Sequence, residues 1–270
     1  MLEDFSPDKT MPAATRTRAR ALVSKVPEIT ALFWIIKVLT TGMGETTSDY
    51  LAHTLDPVVA VAIGSVCFAA ALVLQFSVKR YIPWVYWLAV AMVSVFGTMA
   101  ADVLHVGLGV PYLVSTIFYA VVLAAVFFLW HRTEKTLSIH SIHTPRREVF
   151  YWAAVLSTFA LGTAAGDLTA VTLKLGYLGS GVLFAVVIAV PALAYWKFGL
   201  KAISAFWAAY IVTRPLGASF ADWMGVSHER GGLGWGTAQV SIGWAVAIIL
   251  LVAVLAARQR RAKAPAAVNR

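Results

Sequence analysis

The chain has 270 residues, 60% of them apolar and only 13% charged, about half the charged share of an ordinary soluble domain. A mean hydropathy of +0.76 excludes a water-facing globular enzyme and a disordered chain, and a single cysteine, Cys67, excludes a disulfide framework or a thiolate zinc cluster. The formal net charge is +9, and its distribution decides between nucleic acid and membrane.

In chain order, apolar runs long enough to cross a bilayer, roughly 20 residues each, are predicted at 29–52, 57–78, 82–105, 112–131, 148–170, 178–196, 201–224 and 236–257. A polar tail, 1–28, precedes them. It ends in no short apolar core with a small-residue cleavage site, so a cleaved signal peptide is not expected. A second polar tail, 258–270, follows them. Of the 22 Lys and Arg, 18 fall in the two tails and in the links after the second, fourth and sixth segments. The opposite links hold only Lys174 and Arg230. The positive-inside rule then places both termini in the cytoplasm of a multi-pass membrane protein. The basic residues form no compact patch, so contact with anionic headgroups accounts for them and nucleic acid is not an expected partner.

A four-fold repeat runs through the odd segments. Phe33-Trp34, Gly44 and Asp49 recur as Tyr86-Trp87, Gly97 and Asp102, as Tyr151-Trp152, Gly162 and Asp167, and as Phe206-Trp207, Gly217 and Asp222. In every copy Gly follows Trp by 10 residues and Asp follows Gly by 5. The predicted fold is an all-α integral membrane protein of eight transmembrane helices, built as four parallel two-helix repeats over about 29–80, 81–131, 148–197 and 201–257. Each unit reads as a helical hairpin. The polar stretch 131–147, with His131, His140 and His143, reads as a cytoplasmic tether between two halves. The Trp residues read as interface anchors. Each Asp, 15 residues on, falls roughly 22 Å further along an α-helix, in the outer half of the membrane.

This arrangement resembles a family of bacterial integral membrane proteins carrying four copies of a short repeat of unknown function. The resemblance rests on the four Trp…Gly…Asp copies and covers roughly 29–257. It implies an eight-helix membrane protein and carries no activity, so function is read from the residues.

An acid within a membrane helix costs about 2.5–3.5 kcal/mol, and four at one depth repeat that cost. The expected site is a metal-binding cluster of Asp49, Asp102, Asp167 and Asp222, with Glu45 one turn before the first. The positions equivalent to Glu45 are Thr98, Thr163 and Ala218. Thr41, Glu45, Asp49 and His53 lie on one stripe of the first segment, and His105 follows Asp102 by three. Such oxygens with one or two imidazoles suit Mn²⁺, and less well Mg²⁺ or Fe²⁺. For His53 and His105, an interfacial position facing water is the other reading. Lys37 and Arg214 are internal counter-charges, Lys37 being near enough to the interface to snorkel and Arg214 deep enough to form an ion pair. The glycines, Gly44, Gly97, Gly162 and Gly217, serve close packing or mark helix breaks, a break fitting best at Gly42-x-Gly44 and at Arg214-Pro215-x-Gly217.

The expected function is transport of a small divalent cation, manganese first, coupled to protons. A proton-coupled carrier or exporter of an organic solute is the alternative. Four equivalent acids and no HExxH motif fit an enzyme poorly. No permanently bound cofactor is expected; haem through His53 and His105 is conceivable. The partners are lipid, metal ion and protons, and homo-oligomerisation is left open.

Overall fold

The computed structural model describes residues 24–263. Its helices are α1 (Ala31–Thr54), α2 (Pro57–Ser77), α3 (Pro83–Asp102), α4 (Tyr112–Glu134), α5 (Pro145–Asp167), α6 (Gly176–Val187), α7 (Ala189–Phe198), α8 (Ala202–Gly225) and α9 (Thr237–Lys263). A single turn residue, Ile188, joins α6 to α7. No strand occurs among the described residues. Helix starts carry their expected chemistry. Thr30 caps α1 through Phe33 N, and Thr144 caps α5 ahead of Pro145. Asp56 caps α2 ahead of Pro57, accepting from Val58 N and Val59 N at 2.9 and 3.3 Å.

Six spans are long and apolar enough to cross a bilayer: 57–77, 83–107, 112–134, 145–172, 176–198 and 237–261. Helices α2, α4, α6, α7 and α9 expose rows such as Val58, Val66 and Val73, or Val114, Phe118 and Val121, which is the surface of a multi-pass membrane protein. Helices α1 and α8 are 24 residues each but are not among those six. They hold Lys37, Glu45, Asp49, Arg214 and Asp222, and these polar groups lower their hydropathy.

The motif helices α1, α3, α5 and α8 form a closed ring in which each packs against the next and α8 closes on α1. The other helices pack outside it, chiefly on the motif helix of the following repeat: α2 on α3, α4 on α5, α6 and α7 on α8, and α9 back on α1. The expected hairpin is therefore not the packing unit, since α1 and α2 touch far less than α2 and α3.

The inward faces follow a four-residue step, so the ring is filled in layers. Phe33, Tyr86, Tyr151 and Phe206 form the first layer, and Lys37, Val90, Val155 and Tyr210 the second. Thr41, Ser94, Phe159 and Arg214 form the third, and Glu45, Thr98, Thr163 and Ala218 the fourth; all sixteen are buried. The motif aspartates occupy the fifth. We call the two ends of the ring the Trp end and the Asp end.

The first layer is an interlocked aromatic belt. Phe33 meets Trp87 at 5.7 Å between centroids, Tyr86 meets Trp152 at 5.8 Å, Tyr151 meets Trp207 at 6.2 Å, and Phe206 meets Trp34 at 5.6 Å. Each is a contact between one repeat and the next. Trp87, Trp152 and Trp207 are buried, so these rings are core residues and not interface anchors. The stretch 131–147 is not a loose tether either. Leu137 packs on the core and Ile139 and Ile142 are buried in it, while the Leu137 carbonyl accepts from Trp207 Nε1 at 2.9 Å. His131, His140 and His143 are exposed there.

Candidate functional site

The repeated glycines set the spacing of the ring. A Cβ on Gly44 would meet the Ser94 side chain, on Gly97 the Phe159 Cβ, on Gly162 the Arg214 stem, and on Gly217 the Thr41 hydroxyl and Val38 carbonyl. Each glycine is thus a notch for the third-layer residue of the next repeat. The motif needs Gly there because any side chain would push two motif helices apart. Helices α1 and α8 run unbroken through Gly42–Gly44 and through Pro215, so packing is the role these glycines take and no break occurs.

Close approach brings the fourth layer onto one carboxylate. Glu45 Oε2 pairs with Arg214 Nη2 at 2.6 Å. It also accepts from Thr98 Oγ1 at 3.1 Å and from Thr163 Oγ1 at 3.3 Å. The guanidinium donates to the Thr163 hydroxyl at 2.8 Å, to the Thr98 hydroxyl, and to the Thr41 carbonyl at 2.9 Å. Repeat 4 has Ala218 at this level, and the space a larger residue would take admits Arg214 from one turn below. Arg214 has 0% exposure, so this is a dry ion pair that closes the ring axis. Glu45 is therefore held by Arg214 and is not an open partner of Asp49. The Thr41 hydroxyl donates to the Val38 carbonyl at 2.5 Å and the Thr213 carbonyl at 3.2 Å, which ties α1 to α8.

One layer above, acids meet without being sealed. His105 Nε2 lies 3.1 Å from Asp102 Oδ1 and 3.2 Å from Asp167 Oδ2. The three ligand atoms lie within 4.8 Å of one another. The Asp102 and Asp167 side chains are 28% and 20% exposed while the imidazole is fully buried, so the cluster opens toward the Asp end. Asp49 and Asp222 lie within charge–charge reach of the same group. Asp222 is only 7% exposed and its Oδ1 is buried without a hydrogen-bond partner. An uncompensated buried carboxylate oxygen beside three more acids is the feature least expected of a purely structural site.

Local backbone positions His105. After Asp102 and Asp167 the α-helix widens into π-turns, Val103–Gly107 and Leu168–Thr172. Both close the same way, with Leu108 N on the Val103 carbonyl and Leu173 N on the Leu168 carbonyl, each at 2.9 Å. Such turns recur at functional sites. The π-turn holds His105 inward, between its own Asp and that of the next repeat. Its equivalent in repeat 3 is Ala170, which offers Asp222 nothing. His53 sits in plain α-helix at an exposed position, with Nδ1 2.7 Å from its own Asp49 carbonyl, and does not join the cluster.

Three groups escaped the sequence reading. Ser115 on α4 lies 3.4 Å from His105 Nδ1 and donates to the Tyr112 carbonyl at 3.1 Å. It follows Asp102 by 13 residues, as Ser180 follows Asp167; that shared interval was a usable signal. Ser180 bonds Thr169 at 2.5 Å and Ser219 at 3.1 Å. The Tyr86 and Tyr151 hydroxyls meet at 2.5 Å, and the sequence hinted at it, since the residue before Trp is Tyr in repeats 2 and 3 and Phe in repeats 1 and 4. Lys37 does not snorkel. It is 1% exposed, and its Nζ lies 4.1 and 4.3 Å from the ring centres of Phe159 and Tyr210.

The model of the family described as Repeat of Unknown Function (DUF347) matches the chain four times, at 32–81, 85–136, 150–199 and 205–261. The chain belongs to this family. Each match contains one copy of the motif and the outer helix that follows it. No curated protein and no solved structure matches the chain.

Proposed function

We propose that the protein transports a small divalent cation across the bacterial inner membrane through the carboxylate–imidazole cluster, in exchange for protons, with Mn²⁺ the first candidate. The observation that carries this reading is the meeting of Asp102, His105 and Asp167 within 4.8 Å, beside the unpartnered Asp222 oxygen. One nitrogen among carboxylate oxygens, without thiolate, suits Mn²⁺ better than Mg²⁺ or Ca²⁺. The same geometry supplies a proton exchange. A proton on Nε2 binds both carboxylates, and since Ser115 donates to Tyr112, its oxygen is free to accept from a proton on Nδ1. A metal on Nε2 displaces the proton there, so binding releases protons and weakens as pH falls.

The eight long helical rods are then eight crossings, arranged as four parallel repeats with both termini cytoplasmic. The basic residues lie at the Trp end and the cluster faces outside. The Glu45–Arg214 pair and the aromatic belt form the closed inner gate of an outward-open state.

A second reading, carriage of an organic solute, has its own support in an apolar groove of about 570 Å³ between α1, α7 and α8, lined by Trp34, Val38, Pro191, Tyr195 and Phe206 among others. Calorimetric titration of the purified protein with Mn²⁺, Mg²⁺ and Ca²⁺, with and without Asp→Asn changes at 49, 102, 167 and 222, separates the two. Mn²⁺ binding that is tightest of the three and lost on substitution supports the metal reading. No binding, or binding indifferent to all four changes, moves the organic solute ahead.

A further inference from the structure

Lys37 is the most unusual residue below the gate. Its amine is buried on the ring axis with no hydrogen-bond acceptor, held only over the faces of Phe159 and Tyr210. The Tyr210 hydroxyl, on one of those rings, is also buried and lies next to the Tyr151 hydroxyl. An unpaired amine buried in a membrane protein is costly as a full charge, and loss of its proton removes that cost. As an ammonium the side chain is attracted to the two ring faces and cannot accept a hydrogen bond. As a neutral amine it loses that attraction, gains a lone pair, and can accept from the Tyr210 hydroxyl after one swing off the ring face. The two protonation states therefore have two different resting positions.

A line of tyrosines leads away from Tyr210 toward the Trp end. Tyr151 neighbours it, the Tyr151 and Tyr86 hydroxyls meet at 2.5 Å, and the Tyr81 ring packs edge-on against Tyr86 at 5.6 Å in the link between α2 and α3, its hydroxyl buried. The charged or titratable groups on the inward faces around Lys37 are Arg214 and Tyr210 from α8, Tyr151 from α5 and Tyr86 from α3. Helices α2 and α9, which also pack on α1, offer none on the axis. Arg214 and Lys37 share the Phe159 ring, at 5.2 and 4.1 Å from its centre.

We propose that Lys37 is a proton-binding site on the ring axis, loaded and unloaded at Nζ through the hydroxyls of Tyr210, Tyr151 and Tyr86. A proton leaves water at the Trp end, each hydroxyl accepts one proton and passes on its own, and the last N–H bond forms at Nζ. Release reverses the order, and no redox partner is needed. The charged Lys37 repels Arg214 one layer above and so loosens its hold on Glu45; the proton and the gate are linked. This deepens the transport reading by giving the proton a site apart from the metal cluster.

The test is the displacement current that follows a pH jump on protein reconstituted on a solid-supported membrane, without any metal. A proton moving about a third of the way into the bilayer gives a transient current without turnover. The wild type should give one. Lys37→Met should lose most of the moved charge, and Tyr151→Phe and Tyr210→Phe, which keep the rings, should slow its rise by about tenfold or more. The tyrosine variants decide the matter if Lys37→Met fails to fold. No current in the wild type, a full current in Lys37→Met, or unchanged rates in both tyrosine variants would overturn the proposal. If the current is present but the same preparation moves no Mn²⁺, the metal reading falls and the proton site stands.

Discussion

Replacing Arg214 by Ala would strand the Glu45 carboxylate beside two threonine hydroxyls with no counter-charge. Breaking a buried pair from one side costs about 3–5 kcal/mol, so Arg214→Ala should unfold far more easily in detergent. Glu45→Gln with Arg214→Met should recover most of that loss, because neither charge is then buried alone. Thermal unfolding of the single and double variants measures this, and equal destabilisation in both would mean that the pair is not what holds the ring axis. His105 makes a different prediction. Outer-shell partners of a metal typically cost 10–100-fold in affinity when removed, so replacing the proposed direct ligand, His105→Ala, should weaken Mn²⁺ at least about tenfold, while His53→Ala should leave it unchanged. Both histidines follow a motif Asp by three or four residues, and spacing alone could not separate them. The π-turn after Asp102 does, and a sequence gives little notice of one such turn.

At the scale of the element, the fixed Trp–Gly–Asp spacing identified the inward face of each motif helix, and the apolar runs located the helices to within a few residues. Which outer helix packs on which motif helix was not legible, because the outer helices are mostly apolar and expose much of their surface, with only isolated buried polar residues such as Gln75, Ser115 and Ser180. The notches give the test. Gly97→Val and Gly217→Val would drive a side chain into Phe159, or into Thr41 and the Val38 carbonyl. Overpacking of this kind costs about 1–3 kcal/mol. Gly243 on α9 has no atom within 4 Å of its would-be Cβ, so Gly243→Ala should be neutral or slightly stabilising. Unfolding temperatures of the three variants decide whether the repeated glycines serve packing.

Across the whole molecule, four near-copies make a closed ring whose chemistry is not four-fold. Repeats 1 and 4 supply Glu45, Lys37, Arg214 and Tyr210, and repeats 2 and 3 supply the two π-turns, His105 and the tyrosine pair. The sequence displayed these departures as isolated residues; only the ring closure, with Arg214 rising into the layer of Ala218, joins them into a buried ion pair beneath a cluster. The expected orientation rests on the bias of Lys and Arg toward the Trp end. With Cys67 replaced by Ser, a cysteine at Ser227 should react with an impermeant reagent from outside and one at Ser138 only from the cytoplasm; labelling of both from one side would contradict the four parallel crossings. Whether a divalent cation passes through the cluster is tested most directly by Mn²⁺ uptake into proteoliposomes carrying an outward-directed proton gradient. The wild type should accumulate Mn²⁺ with acid inside, and Asp102→Asn with Asp167→Asn should abolish it; uptake by the double variant at the wild-type rate would contradict the account.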